Sequence, residues 1–331
     1  MSNLERRPVE VLLADDPARG AAAARAGAVQ VLEPREVPLG GPRALMVRRT
    51  LPQRARSLVG AWCFADAYGP TDAPRPRAMN TPPHPHTGLQ TVSWLYAGQI
   101  EHRDSTGVHA MIVPGQVNLM TAGAGIQHSE VAVGDARAAH GVQLWIALPE
   151  DHRHVTPFFE HYVPDPVSVD DAVLRVFVGD LAGSRSSVTG FTAVVGAQLD
   201  LPAGGSARLP VDPAHEHGFL VDAGEPLLDG VPVRPAQLGV VGVGRSELVV
   251  AAGDDPVRAL LIGGEPLGEQ IVMWWNFVGR SHEEIVGFRE RWQADVVGGG
   301  MHDGPFGHIE GYDGGPLPAP ELPNVRLRPR E

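Results

Sequence analysis

From Leu89 onward the chain alternates short apolar, β-branched or aromatic runs with glycine-containing turns. The turns are Ala97-Gly98, Ser105-Thr106-Gly107, Pro114-Gly115, Gly123-Ala124-Gly125 and Gly134-Asp135, and the runs are Gln90 to Tyr96, Ala110 to Val113, Val117 to Met120 and Gly141 to Ala147. Turn signals spaced by about 8–12 residues predict an all-β sandwich or small barrel. Ahead of this block, Ala44-Leu45-Met46-Val47 predicts a first strand, with structured chain beginning near Val37 and a peripheral stretch before it. A second β-rich block runs from about Ala172 to Gly264, with Leu248 to Ala251 and Val257 to Ile262 as its clearest strands.

Two segments break the β pattern. Residues 150–175 hold prolines, aromatics and acids but few glycines or serines, which predicts an ordered connector. Further on, Ser281 and Glu284 form a capping box, and Ile285, Phe288 and Trp292 recur on one face of the helix that follows. This helix is expected to dock on a β-domain. The last part, Gly298 to Glu331, is a Gly- and Pro-rich tail. The organisation expected is an extension over 1–36, a first domain over 37–150, a connector over 151–171, a second domain over 172–268, and a helix with tail over 269–331.

Composition sharpens this reading. The 331 residues include 40 glycines and 31 prolines. That is well above the usual share of roughly 12%, yet below the level of low-complexity chains. Both are poor helix residues, which argues against a helical bundle. The 27 basic against 39 acidic residues give a net charge of −12. Such a chain repels phosphate backbones, so no direct nucleic-acid partner is expected. No run reaches the length of a membrane span, and the charged first 16 residues do not read as a signal peptide. A cytoplasmic protein is expected. The lone cysteine, Cys63, lies in the apolar run Val59 to Phe64 and reads as a buried hydrophobe. With one thiol there is no intramolecular disulfide and no Cys-rich zinc site.

Candidate chemistry rests on histidine. Of 14 histidines, nine fall between residues 84 and 161. In Pro83-His84-Pro85-His86 the two imidazoles share one face of an extended chain, and in Gln127-His128-Ser129-Glu130 so do His128 and Glu130. The 41 residues between His86 and His128 leave room for four strands, enough to bring the pairs into opposition. Three imidazoles and a carboxylate suit a borderline divalent metal, either in a closed structural site or with open positions for chemistry.

These residues carry a resemblance. His84 to Val92, Gly98 to Ser105 and Pro114 to Glu130, then Gly264-Glu265-Pro266-Leu267 and Ser281 to Ile285, resemble the pirin family of bicupins over about residues 40–295. The resemblance implies two cupin-type β-barrel (double-stranded β-helix) domains packed face to face. It implies one divalent metal ion in the N-terminal domain only, iron first, with Mn, Ni, Co, Cu or Zn as alternatives. The family's ligands fall on His84, His86, His128 and Glu130. Some bacterial members degrade the flavonol quercetin with dioxygen, and a eukaryotic member is a redox-sensitive transcription cofactor.

Two functions follow as expectations. One is a dioxygenase acting on a quercetin-like flavonol or another small enol, with Glu130 taking the substrate's proton. The other is a non-catalytic, redox-sensing regulator that binds a protein partner. A vestigial metal-stabilised scaffold is the third option. Gln90 stands where the cupin pattern places a glutamate, and strand parity with His84 and His86 directs it into the pocket against substrate. In the second domain His215 and His217 repeat the spacing, with Val221 matched to Gln90 and no second ligand pair, so that domain is expected to be metal-free. His102 and Asp104 read as surface groups, Trp274-Trp275 as inter-domain packing. A monomer is expected, because facing domains bury the surface that a single cupin would use to dimerise.

Overall fold

The structure is a computed structural model that describes residues 28–39, 45–70, 79–134, 139–300 and 303–330. Two β-barrels dominate it, each built from a seven-stranded sheet and a four-stranded one. The large sheet of the first runs, in spatial order, Phe158–Tyr162, Val117–Thr121, Leu89–Ala97, His140–Ala147, Trp62–Tyr68, Leu45–Leu51 and Arg35–Leu39. Its small sheet runs Asn80–His86, Ile126–Ala132, Ile100–Asp104 and His109–Ile112. The second barrel repeats the plan, with the large sheet Gln30–Leu32, Leu238–Val241, Glu216–Ala223, Val257–Gly264, Val194–Leu201, Ala172–Val178 and Pro166–Val169. The four strands expected between His86 and His128 are present.

The apolar runs are continuous because the large sheets are buried on both faces. Leu89–Ala97 is buried at its first seven positions. One face, with Leu89 and Leu95, packs inside the barrel beside Phe64, Met120 and Trp145. The other, with Val92 and Trp94, packs across the domain boundary against Phe177, Leu220, Leu260 and Ile262. There the Trp94 ring stacks on Phe177 at 4.7 Å. Trp62 Nε1 donates to the carbonyls of Val195 (3.1 Å) and Gly263 (3.0 Å). The large sheets thus meet face to face. A Cβ on Gly60 would lie 3.0 Å from the backbone of Gly264, which shows how closely the domains approach.

Three expectations need correction. The first 35 residues are not wholly peripheral: Gln30–Leu32 pairs with Leu238–Val241 and so forms an edge strand of the second barrel. The alanine-rich stretch Arg19 to Gly27 lies outside the described residues. The helix His282–Arg291 is capped as read, with Ser281 Oγ accepting from Glu284 N at 3.2 Å, and it buries Ile285 and Phe288. It packs, however, on the hairpin of Val272–Trp274 and Phe277–Gly279 and on the tail, in one cluster with Trp274, Trp275, Phe306 and Leu317. The tryptophan pair therefore belongs to this C-terminal layer.

That layer straps the first barrel at its ligand-bearing strands. Leu317 N donates to Pro83 O at 2.8 Å, Gln127 Nε2 to Gly307 O at 2.6 Å, and Tyr312 OH to Asn80 Oδ1 at 2.8 Å. Cys63 is fully buried beside Trp145, and burial pushes its thiol up to about 12, which leaves it inert.

Candidate metal centre

The strands Asn80–His86 and Ile126–Ala132 are antiparallel neighbours, with His128 directly opposite His84. Period-two alternation turns His84, His86, His128 and Glu130 into the barrel, where each is at most 1% exposed. His84 Nδ1 lies 2.8 Å from the Pro82 carbonyl, so Nδ1 must carry the proton. Its Nε2 then holds a lone pair, and that atom is buried without a partner. His86 Nε2 and His128 Nε2 lie 3.1 Å apart. One ligand atom from each of the three histidines falls within 4.8 Å of the others.

Burial, reinforced by the neighbouring imidazoles, lowers all three pKa values well below the ordinary histidine value. Their rings are therefore neutral at pH 7. Buried nitrogens without hydrogen-bond partners are costly unless something is bound there. Two imidazole nitrogens about 2.0–2.1 Å from one ion, at right angles, sit about 3 Å apart. The His86–His128 separation matches that, so the donor set fits a divalent metal.

Glu130 is placed differently from the three rings. Its carboxylate groups with His128 and His102 rather than with His84 and His86. The Ser93 hydroxyl lies 3.5 Å from Glu130 Oε1 and 3.1 Å from Gln143 Oε1. The buried Tyr68 phenol is raised well above its ordinary pKa, by burial first and then by the charge of Glu130. Trp145 walls the centre, edge-on to His86 at 5.1 Å and stacked on Phe64 at 3.9 Å. Behind Phe64, the Arg49 guanidinium lies 4.3 Å over the ring and meets Asp66 through two bonds of 2.7 Å.

Gln90 does not enter this centre. Its Nε2 donates to Thr121 Oγ1 and to the Thr189 carbonyl of the second domain, both at 2.9 Å. The chain crosses from the small sheet to the large one at Thr87-Gly88, where Gly88 takes φ +67°. The crossing resets the parity, so Leu89 faces inward and Gln90 outward. His102 and Asp104 are not surface groups either: both are 2% exposed. On the strand paired with Ile126–Ala132, they stand opposite Glu130 and His128. Spacing held a signal for them, since His102-x-Asp104 has the same i, i+2 form as the ligand pairs.

In the second barrel, strand register equates Gln90 with His217 rather than Val221. Gln90 pairs with Thr121 and Ile146, and His217 pairs with Val241 and Gly263 on the matching strands. Among the described residues, both groups of three or more metal-ligating side chains lie in the first barrel. Burial, then proximity to His215, lowers His217 to about 4. Its folded value thus lies below the unfolded value of about 6.5, so stability is lost as pH falls from about 6.5 to about 4. His217→Gln is expected to remove about 3 kcal/mol of that loss, read as the change in urea-unfolding free energy between pH 7 and about pH 4.

Comparison with known proteins agrees with this architecture. The pirin family model matches residues 44–146, and the pirin C-terminal cupin domain matches residues 196–298. A Pseudomonas aeruginosa protein that carries the provisional name quercetin 2,3-dioxygenase is 38% identical over 296 residues, 89% of this chain and 91% of that protein. A pirin-like protein of Caulobacter vibrioides is 34% identical, over 75% of this chain and 88% of its own length. The crystal structure of quercetin 2,3-dioxygenase from Acinetobacter baumannii superposes with a TM-score of 0.82 at 38% identity, covering 91% of this chain and 97% of that one.

Proposed function

The chain belongs to the pirin family, and from that premise we propose that it is a metal-dependent dioxygenase of quercetin-like flavonols or similar small enols. One observation carries this reading: three buried imidazoles converge in the first barrel, with the His84 Nε2 lone pair buried and unpartnered. Similarity to proteins named for that activity points the same way.

His84, His86 and His128 would hold the ion, with Glu130 as its fourth or as a detachable neighbour. Bound there, a divalent ion supplies Lewis-acid polarisation of an enolic hydroxyl. Glu130 accepts the proton of that hydroxyl, with the Ser93 hydroxyl 3.5 Å from its Oε1. Trp145, edge-on to His86 and backed by Phe64, gives the rings an apolar wall. For quercetin, both oxygen atoms of dioxygen enter the product and carbon monoxide leaves as the flavonol ring opens.

The test is incubation of metal-loaded protein with quercetin, with and without air, following the near-visible absorbance of the flavonol. Oxygen-dependent loss with release of carbon monoxide is expected. No loss with iron, manganese, nickel, cobalt or copper would overturn the assignment. It would favour the second reading, a redox-sensing regulator that binds a protein partner. One observation supports that alternative: each candidate ligand is at most 1% exposed.

A further inference from the structure

We propose that His102 and Asp104 are positioning residues of the metal centre, fixing His128 in the tautomer that turns its Nε2 lone pair toward His84 and His86. The inference rests on the reading of His128 as a metal ligand and adds the device that prepares it.

The geometry is a chain of three groups. His128 Nε2 faces His86 Nε2 at 3.1 Å, and its other nitrogen, Nδ1, lies 3.4 Å from His102 Nδ1. The far nitrogen of His102, Nε2, lies 3.1 Å from Asp104 Oδ2. The remaining oxygen, Asp104 Oδ1, accepts from Thr106 N (2.8 Å), Thr106 Oγ1 (2.6 Å) and Val108 N (3.3 Å). Those donors belong to the tight turn that ends the strand, so the carboxylate is anchored from behind.

Proton positions follow along the chain. An ionised carboxylate only accepts hydrogen bonds, so His102 must carry its proton on Nε2. In a neutral His102 ring Nδ1 is then a lone pair and can only accept, which places a proton on His128 Nδ1. A neutral His128 protonated on Nδ1 has its lone pair on Nε2, the atom that faces His86. A reversed chain would point an N–H of His128 at the other ligands and block the site. Strand pairing builds the arrangement, since His128 lies opposite Asp104 and Glu130 opposite His102, all in one small sheet. The two residues are buried nearly as deeply as the ligands, although two polar groups in such a position gain nothing by packing alone. Outer partners of metal-bound histidines elsewhere orient the ring in the same way.

The experiment uses the full chain and two readouts. Ring ¹⁵N shifts of the metal-free protein report each histidine tautomer, and competition with a chelator for nickel(II) gives metal affinity. Wild type is expected to show His128 protonated on Nδ1 and His102 on Nε2. His102→Leu and Asp104→Asn are expected to weaken nickel binding by about 10–100-fold. His102→Gln can accept from His128 and donate to Asp104 at once, so it is expected to stay within about fivefold of wild type. Should Asp104→Asn fail to fold, the Leu and Gln variants at position 102 still decide the matter. His128 protonated on Nε2 in wild type, or equal affinity in the Leu and Gln variants, would overturn the proposal. Failure of wild type to bind any metal would count against the metal centre itself, whereas the tautomer measured in metal-free protein tests the relay separately.

Discussion

Asp66→Ala is expected to destabilise the protein by about 3–5 kcal/mol, a large fraction of the total stability of a domain. The carboxylate is fully buried and holds Arg49, itself 1% exposed, through two bonds of 2.7 Å. Removing it leaves a guanidinium in the interior with its principal anion gone. The pair itself need not be worth that much, because burying two charges costs nearly what their attraction returns. Replacing both residues together, as Arg49→Met with Asp66→Leu, is therefore expected to cost far less than the single change. Urea unfolding of the two variants checks both statements. The consequence for function runs through Phe64, which lies between the Arg49 guanidinium and Trp145, the ring that borders His86.

His86→Ala is expected to weaken metal binding by more than the roughly 100-fold that loss of an outer partner causes, and to abolish quercetin turnover with it. The substitution removes one of the two nitrogens found 3.1 Å apart and opens a ring-sized gap beside Trp145. A ligand that binds only the folded state stabilises it by about 4 kcal/mol at a thousand times its dissociation constant. Wild-type melting temperature should therefore rise with metal concentration, and that of the variant should stay flat. Thermal melts across a metal titration read this directly. A matching rise in both proteins would mean that the ion binds elsewhere.

Much of this was legible in the amino-acid pattern, for identifiable reasons. Strand runs such as Val117 to Met120 and Gly141 to Ala147 stand out because turn signals with glycine or proline bound them, and they fall inside the strands Val117–Thr121 and His140–Ala147. His84 with His86 and His128 with Glu130 could be placed on common faces because an extended chain alternates strictly. The same rule failed at Gln90, because parity does not survive a change of sheet. At Gly88 a Cβ would lie 2.3 Å from the Val278 carbonyl, so the crossing is a fixed feature of the backbone, but nothing in the residue types announces it.

Two other features were hidden for different reasons. Gln30–Leu32 is too short to show a period, and its partner strand lies some two hundred residues away. His102 and Asp104 look like surface groups because polar residues usually are exposed. Their burial becomes intelligible only when strand pairing sets them against His128 and Glu130. In the second barrel the buried His217 occupies the position of Gln90, a match that residue spacing, which set Val221 there, did not reveal.

The most direct test is the number of divalent ions bound per chain, measured by elemental analysis after loading and dialysis of untagged protein. One ion per wild-type chain, none in His86→Ala and one in His217→Gln is the expected result. Two ions in wild type, or one retained in His86→Ala, would contradict a single centre built on His84, His86 and His128.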